Sequence, residues 1–326
     1  MKEYLNHWKI MDLSIIIPVY NKSKLINRCL DSVFNQKTQY SYEVILVDDG
    51  STDDSVKLIK KRKECNIVLF EQQNAGPSVA RNKGVDLSHG KFCAYLDADD
   101  YWEDGFIEKT LSFLEEHDDC VAVNVAQRHL TISGEHVAPV CYKDYTQPFV
   151  LDDFFSFWAS YMHVCTGSVV IKSEIIKQIG GMRTDLRITE DLEFWALVST
   201  YGKWGFIPEI LFVSDGMETI TNQAEWLKKM QIRWNNAPSV SDWEKRIVKR
   251  TSQTEAYRNA RGHIARNLVY CQLMSGKESL ARGEAKLYGQ NFTNDAIGNL
   301  MNFAKWTPLT WWLLCKFLKY REWHRK

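Results

Sequence analysis

LSIIIPVYN, residues 13–21, opens the pattern that decides the fold. The run from Leu13 to Val19 is almost continuously apolar and rich in isoleucine, which marks a strand covered on both faces rather than one facing water. A segment with apolar residues at Leu25, Ile26, Cys29, Leu30, Val33 and Phe34 follows at helical spacing. EVILVDDG (43–50) repeats the buried strand, 53–64 reads as a helix, and NIVLFEQ (66–72) as a third strand. Gly76-Pro77 opens the next helix with proline near its first position. KFCAYLDADD (91–100) is a fourth strand, and 103–118 a helix carrying both signs of charge. Strands alternating with helices predict an α/β architecture, a Rossmann-like and mostly parallel sheet with helices on both faces.

Beyond residue 120 the alternation ends. CVAVNVAQRHL, a turn around Ser133-Gly134 and HVAPVCY predict an antiparallel hairpin. Residues 150–161 and 189–201 read as helices, and GSVVIK (167–172) as a strand. From about 221 the chain reads as helical with short breaks, as in 224–236, 242–271 and 294–304. The expected division is an α/β catalytic domain over 1–220 and a helical extension over 221–326.

Composition narrows the class. The chain has 326 residues, of which 45% are hydrophobic and 25% charged, which excludes a disordered chain, a collagen-like repeat and a small disulfide scaffold. Lys and Arg number 41, as do Asp and Glu, and such a balance argues against a dedicated nucleic-acid partner. The balance conceals a split. Residues 305–326 hold six basic residues against Glu322, a net +5, so the rest of the chain carries −5. Four of the 12 tryptophans lie in the same 22 residues. The eight cysteines are scattered without a CxxC pair and read as buried thiols of a reducing compartment. The first twenty residues lack the apolar stretch of a signal peptide, and no run is long enough to span a bilayer, so the expected location is cytoplasmic.

In a parallel sheet, ligands bind beyond the carboxyl ends of the strands. Those ends carry Pro18-Val19-Tyr20-Asn21, Asp48-Asp49-Gly50-Ser51 and Asp97-Ala98-Asp99-Asp100, so the acids collect on one rim. Mutually repelling carboxylates make most sense around a hard cation, and Mg2+ or Mn2+ is typically held by one or two of them plus substrate phosphates. A DxD triplet alone is usually a pair of solvated acids; its place after an apolar strand sets this one apart. In VDDGSTD (47–53), an acid can accept a hydrogen bond from a nucleobase or cap a helix, and capping suits Asp53 better than Asp49. Arg81 in NAGPSVARN (74–82) is either structural or faces a phosphate.

IIIPVYN, VDDGSTD, QQNAGPSVARN and YLDADD, in this order and at these spacings, resemble the family 2 glycosyltransferases of the GT-A fold, and TEDLEFW (189–195) resembles the ED motif of the family's acceptor half. The likeness covers roughly residues 12–215. It implies inverting transfer of a sugar from a nucleotide-diphospho-sugar, most readily a UDP-sugar, to a hydroxyl of a glycan or lipid-linked acceptor. By the same resemblance Pro18, Tyr20 and Asp49 line the nucleoside pocket, Arg81 belongs to the donor side, Asp97 lies by the ribose and Asp99 ligates Mg2+ or Mn2+. Asp191 is the implied general base, with Glu190 beside it and Trp195 one helical turn on. The division is chemically sensible: a metal stabilises the departing diphosphate without proton transfer, whereas a sugar hydroxyl needs a carboxylate to take its proton.

Two departures from the family pattern stand out. Where many members place a histidine after the last sheet strand, ILFVSDGMETIT offers Asp215. Gln231-Ile232-Arg233-Trp234 is one residue short of the QxxRW of processive members, which also need membrane-spanning helices. Two other functions compete: a sugar nucleotidyltransferase, which needs a Gly-rich loop that PVYNKSK does not supply, and a non-catalytic glycan-binding scaffold. For the tail, KWTPLTWWLLCKFLKYREWHRK (305–326), indoles beside Lys and Arg suit a segment lying in the interface of an anionic inner leaflet, giving a peripheral membrane contact. A helix packed on the protein, or on a second subunit, is the other reading.

Overall fold

The structure, a computed structural model, describes residues 11–131, 134–215 and 223–324. Its strands are β1 Met11–Val19, β2 Tyr42–Asp48, β3 Ile67–Glu71, β4 Gly90–Tyr95, β5 Tyr101–Trp102, β6 Cys120–Thr131, β7 Gly134–Ala138, β8 Phe149–Val150, β9 Val169–Lys172 and β10 Lys203–Asp215. The helices between them are α1 Ile26–Phe34, α2 Ser55–Lys60, α3 Pro77–Asp86, α4 Phe106–Glu116, α5 Phe154–Tyr161, α6 Ser173–Ile179 and α7 Glu190–Val198. Then come α8 Gln223–Asn235, α9 Val240–Trp243, α10 Glu255–Met274, α11 Glu278–Tyr288, α12 Ala296–Ala304 and α13 Pro308–Trp323.

The chain forms two compact units. The first contains all ten strands found among the described residues, in one sheet with the order β3-β2-β1-β4-β9-β6-β10-β5, β7 pairing with β6 and β8 with β10. The β3-β2-β1-β4 half is parallel throughout, as the alternation of elements predicts. Past β4 the sheet is mixed: β9 runs antiparallel to both β4 and β6, while β6 and β10 are parallel. The predicted hairpin forms from β6 and β7, with Ser133 of its turn outside the described residues. Leu13, Ile15, Ile16, Ile17 and Val19 of β1 are all fully buried, as are Val44 to Val47 of β2, so both faces of the central strands are covered. Helix α3 lies so close to β1 that a Cβ on Gly84 would stand 2.3 Å from Cγ2 of Ile16.

The second unit gathers α5, α7 and the helices from α8 onward. A single cut near residue 220 therefore does not separate the units, because segments 152–162 and 183–200 belong with the helical part. Aromatic packing explains the α5 segment: Phe155 meets Tyr257 of α10 edge to face at 5.1 Å. The helix expected over 242–271 is broken. Helix α9 ends at Trp243, turns occupy 244–250 and TSQT (251–254) is non-helical, and Thr254 caps the N-terminus of α10 by accepting the Tyr257 N–H, the role Ser and Thr favour over helix interiors. Helix α2 is shorter than the expected 53–64. Asp53 stands two residues before it, accepting the Ser55 N–H and hydroxyl and the Ser23 N–H, while the N-cap position itself is Asp54, whose side chain makes no cap bond. All eight cysteines are free thiols. No helix among the described residues is long and apolar enough to cross a membrane.

Candidate active site

Three strand ends of the first unit meet at a cleft of about 390 Å3. Pro18, Tyr20, Asp49, Arg81, Asp97 and Asp99, the six residues the sequence assigns to the donor side, all line it. The β1–α1 and β2–α2 loops are stitched together above the sheet: Asn21 donates its N–H to the Ser51 hydroxyl, Lys22 donates its N–H to that of Ser55, and Thr52 donates to the Asn21 side chain. Gly50 is needed here, since its φ of +79° lies in the left-handed region and a Cβ would meet the Asn74 N–H nitrogen at 3.0 Å.

Asp49 is 4% exposed, and its carboxylate builds one wall of the cleft. Oδ1 accepts from the Gln72 side-chain amide and the Ala75 N–H, and Oδ2 from the Gly76 N–H, each at 2.8 Å. Those bonds fix the entry to α3, which Pro77 starts at the first helical position. From α3 the buried Arg81 guanidinium reaches Asp97 at 2.6 Å.

The acids beyond β4 share a network of cations. Lys22 pairs with Asp99, and Arg28 donates to the Asp99 carbonyl while pairing with Asp215 at 2.5 Å. The Asp215 N–H donates to Asp100 Oδ1 at 2.9 Å. Burial, reinforced by the charges of Asp97 and Asp99, pushes the Asp100 carboxyl up to about 8. Burial chiefly, with the same acids, also raises the Cys29 thiol. Lys22 and Arg28 join the rim acids without any mark in the sequence, since a lysine three residues after an apolar strand end has no periodic signature.

Among the described residues no three His, Cys, Asp or Glu side chains form a ready-made metal cage. The donor set nevertheless fits a divalent cation held jointly with a diphosphate. It offers the hard carboxylate oxygens of Asp97 and Asp99 on the cleft wall, the donor type such a cation prefers. Asp215, the residue standing where a histidine was sought, is held by Arg28, and 216–222 of the same stretch lie outside the described residues.

The acceptor-side residues belong to the second unit. Glu190, Asp191 and Glu193 occupy the first turn of α7, where the helix dipole favours acids. The Leu192 N–H donates to the Asp191 carboxylate at 2.8 Å. Trp195 is fully buried beside Phe194, so it braces the helix from within rather than presenting a face to a ligand. Sequence reading missed the device that fixes α7. Glu193, wholly buried, receives two bonds from Arg246, and the Trp243 indole donates to the Thr189 carbonyl just before the helix. Trp234 of the QIRW run is buried in the helical unit, edge-on to Trp226. It lines a cavity of about 660 Å3 whose arginines are engaged by carboxylates, Arg266 by Asp295 and Arg321 by Glu322.

Residues 14–174 match the family model of Glycosyl transferase family 2. The chain is 42% identical over 96 residues to the poly(ribitol-phosphate) beta-glucosyltransferase of Bacillus spizizenii, which is 28% of this chain and 15% of that protein. The matches span under a fifth of the length of the first curated relatives. Among solved structures, S. aureus TarS 1–349 in complex with UDP-GlcNAc superposes with a TM-score of 0.61 and 15% identity, over 95% of this chain and 91% of that one. Mannosyltransferase PcManGT from Pyrobaculum calidifontis, in complex with GDP-Man and Mn2+, gives 0.57 and 16% over 99% and 92%. At such identities these likenesses establish the fold, which is GT-A with a helical C-terminal region.

Proposed function

As the chain belongs to glycosyl transferase family 2 by its residues 14–174, we propose that it transfers a sugar, with inversion, from a UDP-sugar to a hydroxyl of a glycan or lipid-linked glycan in surface polysaccharide biosynthesis. The observation that carries this reading is the single cleft lined by all six donor-side residues. Relatives support its direction: one curated relative is named for glucosyl transfer to poly(ribitol-phosphate), and solved structures of the same fold hold UDP-GlcNAc or GDP-Man with Mn2+. Hexosyl or N-acetylhexosaminyl transfer is the corresponding reaction class.

In this proposal the first unit handles the donor. Pro18 and Tyr20 flank the nucleoside, and Asp49 holds the loop that closes around the base. Asp97, oriented by Arg81, meets the ribose. Asp99, together with the diphosphate, would hold Mg2+ or Mn2+, and Lys22, paired with Asp99, adds positive charge on the same side. When bound, the metal stabilises the negative charge that develops on the leaving diphosphate. In the second unit the Asp191 carboxylate takes the proton from the acceptor hydroxyl as it attacks, Glu190 adds negative charge beside it, and Trp195 keeps α7 in place. Attack opposite the leaving group inverts the anomeric centre. A lipid-linked acceptor is met at a membrane surface, and the basic segment 305–326 supplies a peripheral contact with the inner leaflet.

The test is a screen of nucleotide-sugar donors, with mass-spectrometric detection of hydrolysis and transfer. The proposal requires that one donor be turned over and that Asp99→Ala and Asp191→Asn abolish transfer. Full transfer in both variants would remove the residue assignments.

A further inference from the structure

Of the sixteen large hydrophobic side chains exposed among the described residues, nine fall within 300–323, so the exposed apolar surface is concentrated on α12 and α13. Helix α13 is apolar on two opposite sides. Trp311, Leu314, Cys315 and Leu318 form its buried side. That side is fastened to α11: the Trp311 indole donates to the Glu278 carbonyl at 3.1 Å, and Lys319 pairs with Glu278 at 2.7 Å. The chain entering α13 is held as well, since Arg282 donates to the carbonyls of Lys305 and Trp306. Leu309, Trp312, Phe317 and Tyr320 form the outer side and are 66, 50, 54 and 64% exposed, continued by Phe303 at 74% and Trp306 at 68%. A helix that is apolar all round belongs in a protein core or in lipid. Here one side has its core.

We propose that the outer face of α12 and α13 seats in the headgroup region of an anionic bilayer. Charge selects this occupant over a second copy of the chain. From Ala296 to His324 the sole acid is Glu322, which is buried and paired with Arg321. The exposed Lys316 stands beside an indole, its Nζ 5.7 Å from the Trp312 ring, whereas Lys305 is buried with its ammonium on Asn302. Lys319 and Arg321 already have Glu278 and Glu322, so the exposed Lys316 is the cation that two such faces would set against its own copy and that anionic headgroups neutralise. Trp and Tyr are the side chains that favour this boundary. Sixteen residues of helix extend about 24 Å, and no described helix is apolar and long enough to cross, so α13 lies in the plane of the interface. The inference rests on the lipid-linked acceptor for its purpose but not for its test, because vesicle binding needs neither donor nor turnover.

The experiment is flotation of the full chain with vesicles of phosphatidylcholine alone or with about a third phosphatidylglycerol. The expected result is binding to the anionic vesicles that falls steeply at about 0.5 M salt. The triple variant Phe303→Ser/Trp312→Ser/Phe317→Ser should lose about tenfold or more in partitioning. Its melting temperature and UDP affinity should match the wild type, since all three side chains are exposed. Lys316→Glu, with every aromatic retained, should weaken anionic binding severalfold. Absence of vesicle binding, or equal binding to neutral and anionic vesicles, would overturn the proposal. So would a wild-type dimer in light scattering that the triple variant turns into a monomer, because that assigns the face to a second copy.

Discussion

Asp49→Asn is the perturbation that most sharply separates a structural latch from a simple binding residue. In the native cleft one carboxylate takes three N–H groups at 2.8 Å, from the Gln72 side chain and from the Ala75 and Gly76 backbones. Asparagine can keep its oxygen toward Gln72 and Ala75, but its amide then points a donor at the Gly76 N–H. One charge-assisted bond, worth about 1.5–3 kcal/mol, is lost. The two that remain become neutral and weaken by about half. The sum is about 3–6 kcal/mol in a site that is almost fully buried. For a unit of this size each kcal/mol moves the melting temperature by about 2–4 °C, so calorimetry without nucleotide should show a fall of about 6 °C or more. Gln72→Ala removes one side-chain donor and leaves both backbone bonds, and should cost about 1.5–3 kcal/mol. UDP affinity should fall in Asp49→Asn as the 72–76 loop loosens. An Asp49→Asn melting temperature within about 2 °C of wild type, or a Gln72→Ala effect as large as that of Asp49→Asn, would refute the latch.

Three further perturbations probe the supports of the site. Gly84→Val drives a branched side chain into Ile16 and should destabilise the first unit by about 1–3 kcal/mol, measured by urea unfolding; an unchanged midpoint would mean α3 is free to back away from β1. Arg246→Ala leaves the buried Glu193 charge uncompensated and should cost about 3 kcal/mol or more, with Glu193→Gln in the same background restoring part of the loss; no recovery would show that Arg246 acts by packing alone. Lys22→Ala should weaken UDP several-fold while leaving uridine affinity unchanged, because the ammonium sits at the DxD acids rather than at the nucleoside wall; equal losses for both ligands, read by calorimetric titration, would place Lys22 elsewhere in recognition.

The first half of the fold was legible because β1, β2 and β4 are covered on both faces and read as nearly unbroken apolar runs, with turn residues and acids marking where each ends, while the edge strand β3 is apolar with Val68 exposed. Six donor-side residues fell into one cleft for the same reason: they sit at the ends of those strands or at the start of α3. Pairing was not legible. Nothing in VVIK announces that β9 inserts antiparallel between β4 and β6, since periodicity reports burial and not neighbours. Nor can spacing show that 152–162 and 183–200 join the distant helices, because that choice is made by aromatic contacts such as Phe155 with Tyr257. Lys22, Arg28 and the Glu193–Arg246 pair escaped because long charged side chains reach partners far along the chain. Trp195 was placed by motif and found to be buried. In the tail, composition gave the unusual chemistry, but only the structure divides α13 into a fastened side and an outward one.

The central claim is that the acids at the ends of β2 and β4 form a metal-assisted site for a nucleoside diphosphate. Isothermal titration of the full chain with UDP, with and without Mn2+, tests it most directly. The account predicts binding that tightens by about tenfold or more with Mn2+, and loss of that metal-dependent gain in Asp99→Ala with the weaker metal-free binding retained. UDP binding indifferent to Mn2+, or a gain that survives Asp99→Ala, would contradict it.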